Sequence, residues 1–437
     1  MYEASKERIH TLDALRGVAL LGILLMNIAW FGLPENTVED LRLREEFSGA
    51  NYWCWWIIEV FFHGTMRGLF SMLFGASAVL ILEQYTKRTD MDTASVFYFR
   101  RLIVLFLFGL INSYILLWPG DILYTYAIVG MFIFAFHRLP AKRLFLIAGI
   151  VMVLFSVKQT WSKQKPVRLK AAADSALAID TALTPLTGIQ QADVEAWKSF
   201  EEEHSVEHKR SIDQGQVDCT QSDYWTFFFY SAGISHWMET EFVYDFFFLD
   251  AFSFMLIGIA LYRLGVITGK RSKRFYLLLS AGGYAVGIPI YFLAASAKVQ
   301  YGFDPYLIAL HHPVVAEQFG RMGLTLGNIG LLSLLFQLPF SSWLIALMKP
   351  LGKLAFTNYL LQSVICGIIF SGFAFGMFNK LQRYELYYVV AGVWVFQIIF
   401  SHIWTRLYTI GPFEWLWRSA THWQWQKFER VKSYLAD

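Results

Sequence analysis

Residues 12–32 read LDALRGVALLGILLMNIAWFG. From Val18 to Phe31 the stretch is apolar enough and long enough for a membrane helix, which needs roughly 20 mostly apolar residues. It also carries Asp13, Arg16 and Asn27. Polar groups in hydrocarbon are costly, so each needs a partner, an interface or a task. Asp13 and Arg16 are three residues apart, hence neighbours on a helix. Asn27 follows Arg16 by about three turns and falls on nearly the same face. Two readings stay open: an interfacial ion pair plus an asparagine bonded across helices, or a polar stripe lining a hydrated cavity.

The whole chain agrees with a membrane setting. Of its 437 residues 56% are hydrophobic, 18% aromatic and 16% charged, against about 25% charged in a typical soluble domain. Mean hydropathy is +0.41. The fold class is therefore all-α, a polytopic bundle in one integral membrane domain. A net charge of +3, with no basic run, gives no footing for nucleic-acid binding. The partners expected are the bilayer and a small acceptor. The polar start, MYEASKERIH, is not a cleavable signal, so the first apolar segment is expected to remain as a span.

Ten spans are expected, at about 13–33, 66–85, 97–118, 120–139, 142–159, 246–267, 274–294, 321–340, 353–376 and 386–409. WPGD (118–121) and RLPAKR (138–143) are tight joints. Basic clusters recur on alternate loops: Lys6/Arg8, Lys87/Arg88/Arg100/Arg101, Arg138/Lys142/Arg143, Arg263/Lys270/Arg271/Lys273/Arg274 and Lys349/Lys353. A last one is Arg418/Lys427/Arg430/Lys432 in the tail. The positive-inside bias then puts both termini in the cytosol. Residues 34–64 and 160–223 become extracytoplasmic loops, the second bearing one or two surface helices. The aromatic, acidic stretch 224–248 is placed as an interfacial or re-entrant segment on the outer side. Residues 411–437, rich in Trp with basic residues, read as a cytosolic amphipathic tail in which Glu414 pairs with Arg418. Cys54 and Cys219 fall one in each outer loop, either as a disulfide or as two unrelated thiols.

Few residues carry visible chemistry. No GxSxG, HExxH, P-loop or paired CxxC is present, and no metal site is expected. Asn358 and Gln362, four apart in LAFTNYLLQS, share a helix face. They serve either as interhelical glue or as cavity lining beside Asp13, Arg16 and Asn27. Asp121 caps the helix after WPG. His402 reads as a bonded interior histidine. His63, with Arg67 one turn on, is a candidate general base or a structural histidine. His236 with Glu239 and Glu241 is a weaker acid–base set. The pair His311–His312 faces two ways on a helix, which argues against a metal.

Taken in order, LDALRGVALLGILLMN (12–27), RGLFSMLFG (67–75), LLWPGDILYTYAIVG (116–130), MLIGIALYRLGVI (255–267), KLAFTNYLLQS (353–363) and GPFEWLWR (411–418) resemble the YeiB-like family of bacterial membrane proteins, domain of unknown function 418. The resemblance implies the bacterial cytoplasmic (inner) membrane. It also implies kinship with a transmembrane acyltransferase superfamily that moves acyl groups from cytosolic acyl-CoA, such as acetyl-CoA, to acceptors at the other face. One branch, the acyltransferase-3 enzymes, has Arg, ten residues, then His in its first span. The heparan-alpha-glucosaminide N-acetyltransferase branch has Arg, ten residues, then Asn, as Arg16 and Asn27 stand here. Its catalytic histidine lies further on, and His63 is the nearest match. The resemblance thus implies acyl transfer to an envelope glycan, lipid or small acceptor, in a chain able to dimerise. The alternative is a small-solute exporter without covalent chemistry. The site expected comprises His63, Asn27, Asp13, Arg16, Asn358 and Gln362, with Arg16, Arg67, Arg100 and Arg101 for the CoA phosphates. Asp13, Arg16, Asn27, Asn358 and Gln362 are expected to converge on one cavity.

Overall fold

The computed structural model describes residues 2–179 and 185–428, with side chains from Thr11 onward. Lys6, Arg8, Arg430 and Lys432 lie outside the described side chains. Along the chain run α1 (Tyr2–Gly32), α2 (Glu35–Glu39), α3 (Gly49–Ile57), α4 (Thr65–Thr86), α5 (Met91–Leu110), α6 (Leu123–Ile133) and α7 (Ala141–Lys163). Then come α8 (Lys165–Leu177), α9 (Gly188–Glu203), α10 (Val206–Thr220), α11 (Tyr224–Trp237), α12 (Phe248–Arg263) and α13 (Lys273–Gln300). The last six are α14 (Pro305–His311), α15 (Glu317–Phe336), α16 (Ser342–Lys353), α17 (Ala355–Phe370), α18 (Leu386–Leu407) and α19 (Pro412–His422).

The chain is a multi-pass, all-α membrane protein. Among the described residues eight helical stretches are long and apolar enough to cross a bilayer, and the pair Pro339–Lys353 and Ala355–Phe370, bent by 75°, makes a ninth if it is one span. The fourth expected span, 120–139, is a shorter apolar helix, Leu123–Phe136. Its start is delayed by the Pro119–Gly120 turn, and the Asp121 side chain accepts from Tyr124 N–H at 2.8 Å to open the new helix.

Two segments read as loops or surface pieces are helical continuations. The stretch 49–62 forms α3 and a π-helical turn (Ile58–Phe62) leading into α4, so only 33–48 is a short connection. Residues 224–248 run without a turn into α12 through a π-helical stretch, Met238–Phe247. The resulting 40-residue rod is about 60 Å long, twice the roughly 30 Å hydrocarbon layer. Its first half, α11, packs against the end of α5 and the turn that follows: Tyr224 Oη donates to Ile115 O at 3.1 Å and Ser235 Oγ to Ser113 O at 3.3 Å. Among its described residues the polar segment 160–223 holds three helices, α8 to α10, where one or two were expected.

α1, α4 and α12 form the interior, while α7, α13 and α18 turn most of their apolar surface outward. Small residues set the closest contacts, as expected where packing drives helix association in lipid. At the α13–α15 crossing a Cβ on Gly283 would lie 2.5 Å from Gly323 O. At α1–α16 a Cβ on Gly352 would lie 1.7 Å from Asp13 O, so nothing larger than glycine fits.

A cap closes the end away from Arg16. Asp213 of α10 accepts from Thr37 N–H (2.9 Å) and Thr37 Oγ1 (2.7 Å). Arg383 pairs with Glu46 at 2.6 Å, and Gln221 donates to Phe378 O at 2.7 Å. The expected loops thus pack on one another and on the 371–385 connection. Cys54 on α3 and Cys219 on α10 are free thiols, not a disulfide.

Candidate functional site

Two cavities lie toward opposite ends of α4. The basic-end cavity, about 270 Å³, is bounded by Arg16, Arg101, Lys353 and Arg418, with Phe70, Tyr126 and Tyr359 deeper in its wall. Arg16 is held from two sides: Nη1 donates to Asp13 Oδ1 at 2.8 Å and Nη2 to Ser77 Oγ at 2.6 Å. Arg101 stacks 3.6 Å from the Trp417 ring, whose Nε1 donates back to Arg101 O at 2.8 Å. Among the described residues no carboxylate pairs with Arg101, Lys353 or Arg418.

Glu414 does not pair with Arg418. It accepts from Phe356 N–H (2.9 Å), Thr357 N–H (3.1 Å) and Thr357 Oγ1. These are the first amides of α17, which no preceding turn satisfies because the 75° bend starts the helix afresh. Enclosure in the cavity wall pushes the Glu414 carboxyl above its ordinary range, against the opposing pull of the Thr357 bonds.

The outer-end cavity is about 440 Å³ and is lined by α7, α13, α15 and the α3–α4 junction. At that junction the helix breaks: Gly64 has φ +66°, the left-handed region, and His63 precedes it. Glu59, one turn back, places Oε2 2.9 Å from His63 Nδ1 and Oε1 2.5 Å from Lys298 Nζ of α13. His63 is the more open of the pair, its side chain 43% exposed against 12% for Glu59. Among the described residues no bond is made to His63 Nε2. Deeper, Asp250 joins two arginines, Arg321 Nη2 at 2.8 Å and Arg67 Nη2 at 3.3 Å. Gln318 Nε2 donates to the same carboxylate at 3.1 Å and its Oε1 accepts from Arg321.

A septum separates the cavities. Phe70 and Tyr126 close the basic-end one, and the Tyr126 hydroxyl bridges Ser71 Oγ (2.6 Å) and Arg67 O (3.2 Å). Phe70 sits in the second turn of α4, and His63 lies just before that helix, on the far side of the Gly64 break. Beside the septum Tyr359 donates to Asp121 at 3.2 Å, and Asn112 reaches the same carboxylate at 2.8 Å.

The expected single convergence resolves into separate places. Arg16 and Arg101 line the basic-end cavity, while Asp13 does not and reaches it only through its pair with Arg16. Asn358 and Gln362 face α18 instead: Asn358 donates to Ser401 Oγ at 2.8 Å, and Gln362 to Gln397 Oε1 at 3.2 Å and Leu20 O at 3.3 Å. Both are dry, at 0% and 3% exposure. The reason is register: Tyr359, the next residue round the helix, takes the cavity face. Asn27 is half-buried and lines neither cavity. Arg100 is exposed, and Arg67 belongs to Asp250 beyond the septum. His236 is exposed and His402 bonds Ile398 O of its own helix at 2.8 Å. His311 stacks on Tyr301 while His312 lines the outer-end cavity. Among the described residues no three His, Cys, Asp or Glu side chains gather as a metal set.

Glu59, Lys298, Asp250, Gln318 and Arg321 escaped the sequence reading. Two signals pointed to them: Glu59 stands four residues before His63, and Arg321 is a charge within an apolar segment, a functional flag in itself.

Residues 261–424 match the family described as "Protein of unknown function (DUF418)". The chain is 28% identical to the uncharacterized protein YxaH of Bacillus subtilis, covering 97% of this chain and 96% of that one. It is likewise 28% identical to the uncharacterized protein YeiB of Escherichia coli, covering 95% and 96%. An uncharacterized 39.9 kDa protein of Bacillus acidopullulyticus is 26% identical, with 96% and 95% covered. No solved structure matches.

Proposed function

The chain belongs to the YeiB-like DUF418 family, and we propose that it is an acyltransferase of the bacterial cytoplasmic membrane, moving an acyl group from cytosolic acyl-CoA to an envelope glycan, lipid or small acceptor. The observation that carries this reading is the His63–Glu59 pair in the outer-end cavity. A carboxylate on Nδ1 fixes the tautomer that leaves Nε2 as the proton acceptor, and steadies the imidazolium once formed.

In this reading Nε2 takes the proton of an acceptor hydroxyl or amine. The freed oxygen or nitrogen attacks the thioester carbonyl, the C–S bond breaks, and the leaving thiolate recovers the proton from His63. Lys298 commits one N–H to Glu59 and lines the cavity, so its remaining N–H groups can donate to a developing oxyanion. Arg16, Arg101, Lys353 and Arg418 supply cations for the CoA phosphates. Their end of the bundle is the cytosolic one by the positive-inside bias. For the acyl end to reach His63, the Phe70–Tyr126 layer that separates the two cavities has to open.

The test is to incubate purified protein with labelled acetyl-CoA. Thioester cleavage or acetyl transfer that disappears in a folded His63→Ala variant is the expected result; a wild-type protein that neither cleaves nor transfers counts against the proposal. A second reading, a small-solute carrier, draws support from the two cavities facing opposite ends across a closed septum. Solute exchange in liposomes without any acyl donor is its signature.

A further inference from the structure

The wall of the outer-end cavity is one anion short. Glu59 faces one cation, Lys298, and a histidine. Glu317 faces Lys163 at 3.8 Å. Asp250, by contrast, is shared by two guanidinium groups, Arg67 and Arg321, which leaves one positive charge over. No other carboxylate pairs with either arginine among the described residues. The site is deeply enclosed, with Arg321 4% and Asp250 2% exposed. Both Arg67 Nε and Arg321 Nε are buried without a hydrogen-bond partner. Aromatic faces soften the excess: Arg67 sits 4.4 Å from the Phe247 ring centroid, and Arg321 5.5 Å from that of Phe246. A ring quadrupole does not replace a counter-charge, and an enclosed cation without one is unstable enough to draw an anion from solution.

The position of the spare charge matters as much as its sign. Arg321 lines the cavity, whereas Arg67 stands behind it on α4. The Arg321 side chain presses on the helix break: a Cβ on Gly64 would come within 2.7 Å of its Cδ and 2.9 Å of its Nη1. Gly64 is thus required twice, for its positive φ and for the room it leaves this guanidinium. The consequence is that Arg321 reaches the cavity floor alongside His63, which immediately precedes Gly64.

We propose that the Arg321 guanidinium, backed by Arg67 and Asp250, is a binding site for an oxyanion, phosphate above all, carried by the molecule on which His63 acts. The proposal rests on the acyl-transfer reading for the word "acceptor" and deepens it: the acceptor is anionic, and its charged group docks at Arg321 while its hydroxyl or amine meets His63. A planar, forked donor suits a phosphate, whose oxygens it takes two at a time. The polar residues that α7 contributes to the opposite wall, Ser156, Gln159 and Ser162, suit the hydrated remainder of such a molecule.

Thermal unfolding of the purified full chain, in detergent and without any acyl donor, tests the site with two probes: inorganic phosphate and a short-chain phosphatidate. A saturable rise in unfolding temperature is expected with at least one of them. The tighter probe tells a soluble phosphate from a lipid headgroup. Arg321→Lys should weaken that response about tenfold through loss of the fork, and Arg321→Gln should abolish it. These responses are read in an Arg101→Gln background, which weakens phosphate binding at the basic-end cavity, and the exposed Arg100→Gln should retain the response. In that background a response that persists in both Arg321 variants, or that vanishes in Arg100→Gln instead, overturns the proposal, as does no response to either probe. Should Arg321→Gln not fold, wild-type protein gives the same answer. The tighter-binding probe should slow diethyl pyrocarbonate modification of His63, read by peptide mass spectrometry, and unchanged modification rejects the site. The two readings fail separately. Binding without acetyl transfer removes the transferase and leaves the site; transfer without binding removes the site alone.

Discussion

The seam between α17 and α18 and the chamber around His63 both bring polar side chains to depth, and they do so in opposite ways. In the seam the groups are neutral amides and a hydroxyl, packed dry, each donating across a helix boundary: Asn358 to Ser401, Gln362 to Gln397, Gln397 to Asn358 O. In the chamber the groups are charged, they border about 440 Å³ of space, and their charges do not cancel. The lesson is that polarity inside a membrane bundle marks function only when charge imbalance and open volume coincide. A dry set of neutral amide bonds, even with Asn358 Oδ1 left unpartnered, is adhesive, worth about 1 kcal/mol per bond.

The contrast can be broken most forcefully at His63. Under acyl transfer, His63→Ala should lower turnover by about 10²- to 10⁴-fold, the usual worth of a positioned base, with unfolding temperature little changed. Glu59→Gln should lose less activity but shift the pH profile, because the imidazolium loses its carboxylate. A normal rate in His63→Ala would make the chamber's histidine structural and the two regions alike.

Packing gives the next largest effect. Gly352→Ala places a methyl against Asp13 O, a contact only backbone movement can relieve. A loss of about 1–3 kcal/mol is expected, seen as a lower unfolding temperature and a displaced Arg16. Unchanged stability would mean that α1 and α16 are less tightly joined than their geometry implies.

The seam itself should respond modestly and only in stability. Gln362→Leu removes the donor to Leu20 O and Gln397, for a loss of about 1 kcal/mol and an unaltered rate per folded molecule. A rate effect larger than the stability effect would move Gln362 into the functional set.

The smallest effect belongs to Glu414. Its folded carboxyl holds a proton more tightly than in the unfolded chain, where 4.5 is the ordinary value. The folded state therefore binds the extra proton, and the stability this gives is present at low pH and declines as pH rises from about 4.5 through the raised value. Glu414→Gln should flatten that decline between mildly acidic and neutral pH in thermal unfolding curves. An identical slope in the variant would assign the titration elsewhere.

Much of the architecture was legible because hydropathy over 20 residues is a long, redundant signal. The spans at 13–33, 274–294 and 386–409 correspond to α1, α13 and α18. The stretch 49–62 misled because NYWCWWIIEVFF interrupts its apolar run with Glu59, whose partners, His63 and Lys298, are known only from the fold. For the site, residue spacing gave helix faces but not what each face meets. Asn358 and Gln362 do share a face, and it is the neighbour α18 that makes it dry. Arg16 and Arg101 were within reach from charge at the helix ends. Asp250 and Arg321, 71 positions apart in the chain, were not.

The cap joins three parts of the chain that emerge far apart during synthesis: 35–48, 206–221 and 371–385, tied by Asp213–Thr37, Gln221–Phe378 and Glu46–Arg383. Its final strut is therefore made only after nearly nine-tenths of the chain has been synthesised. Until then the early segments stay unlatched, so any truncation before residue 371 leaves a bundle whose roof never closes, a natural mark for surveillance proteases.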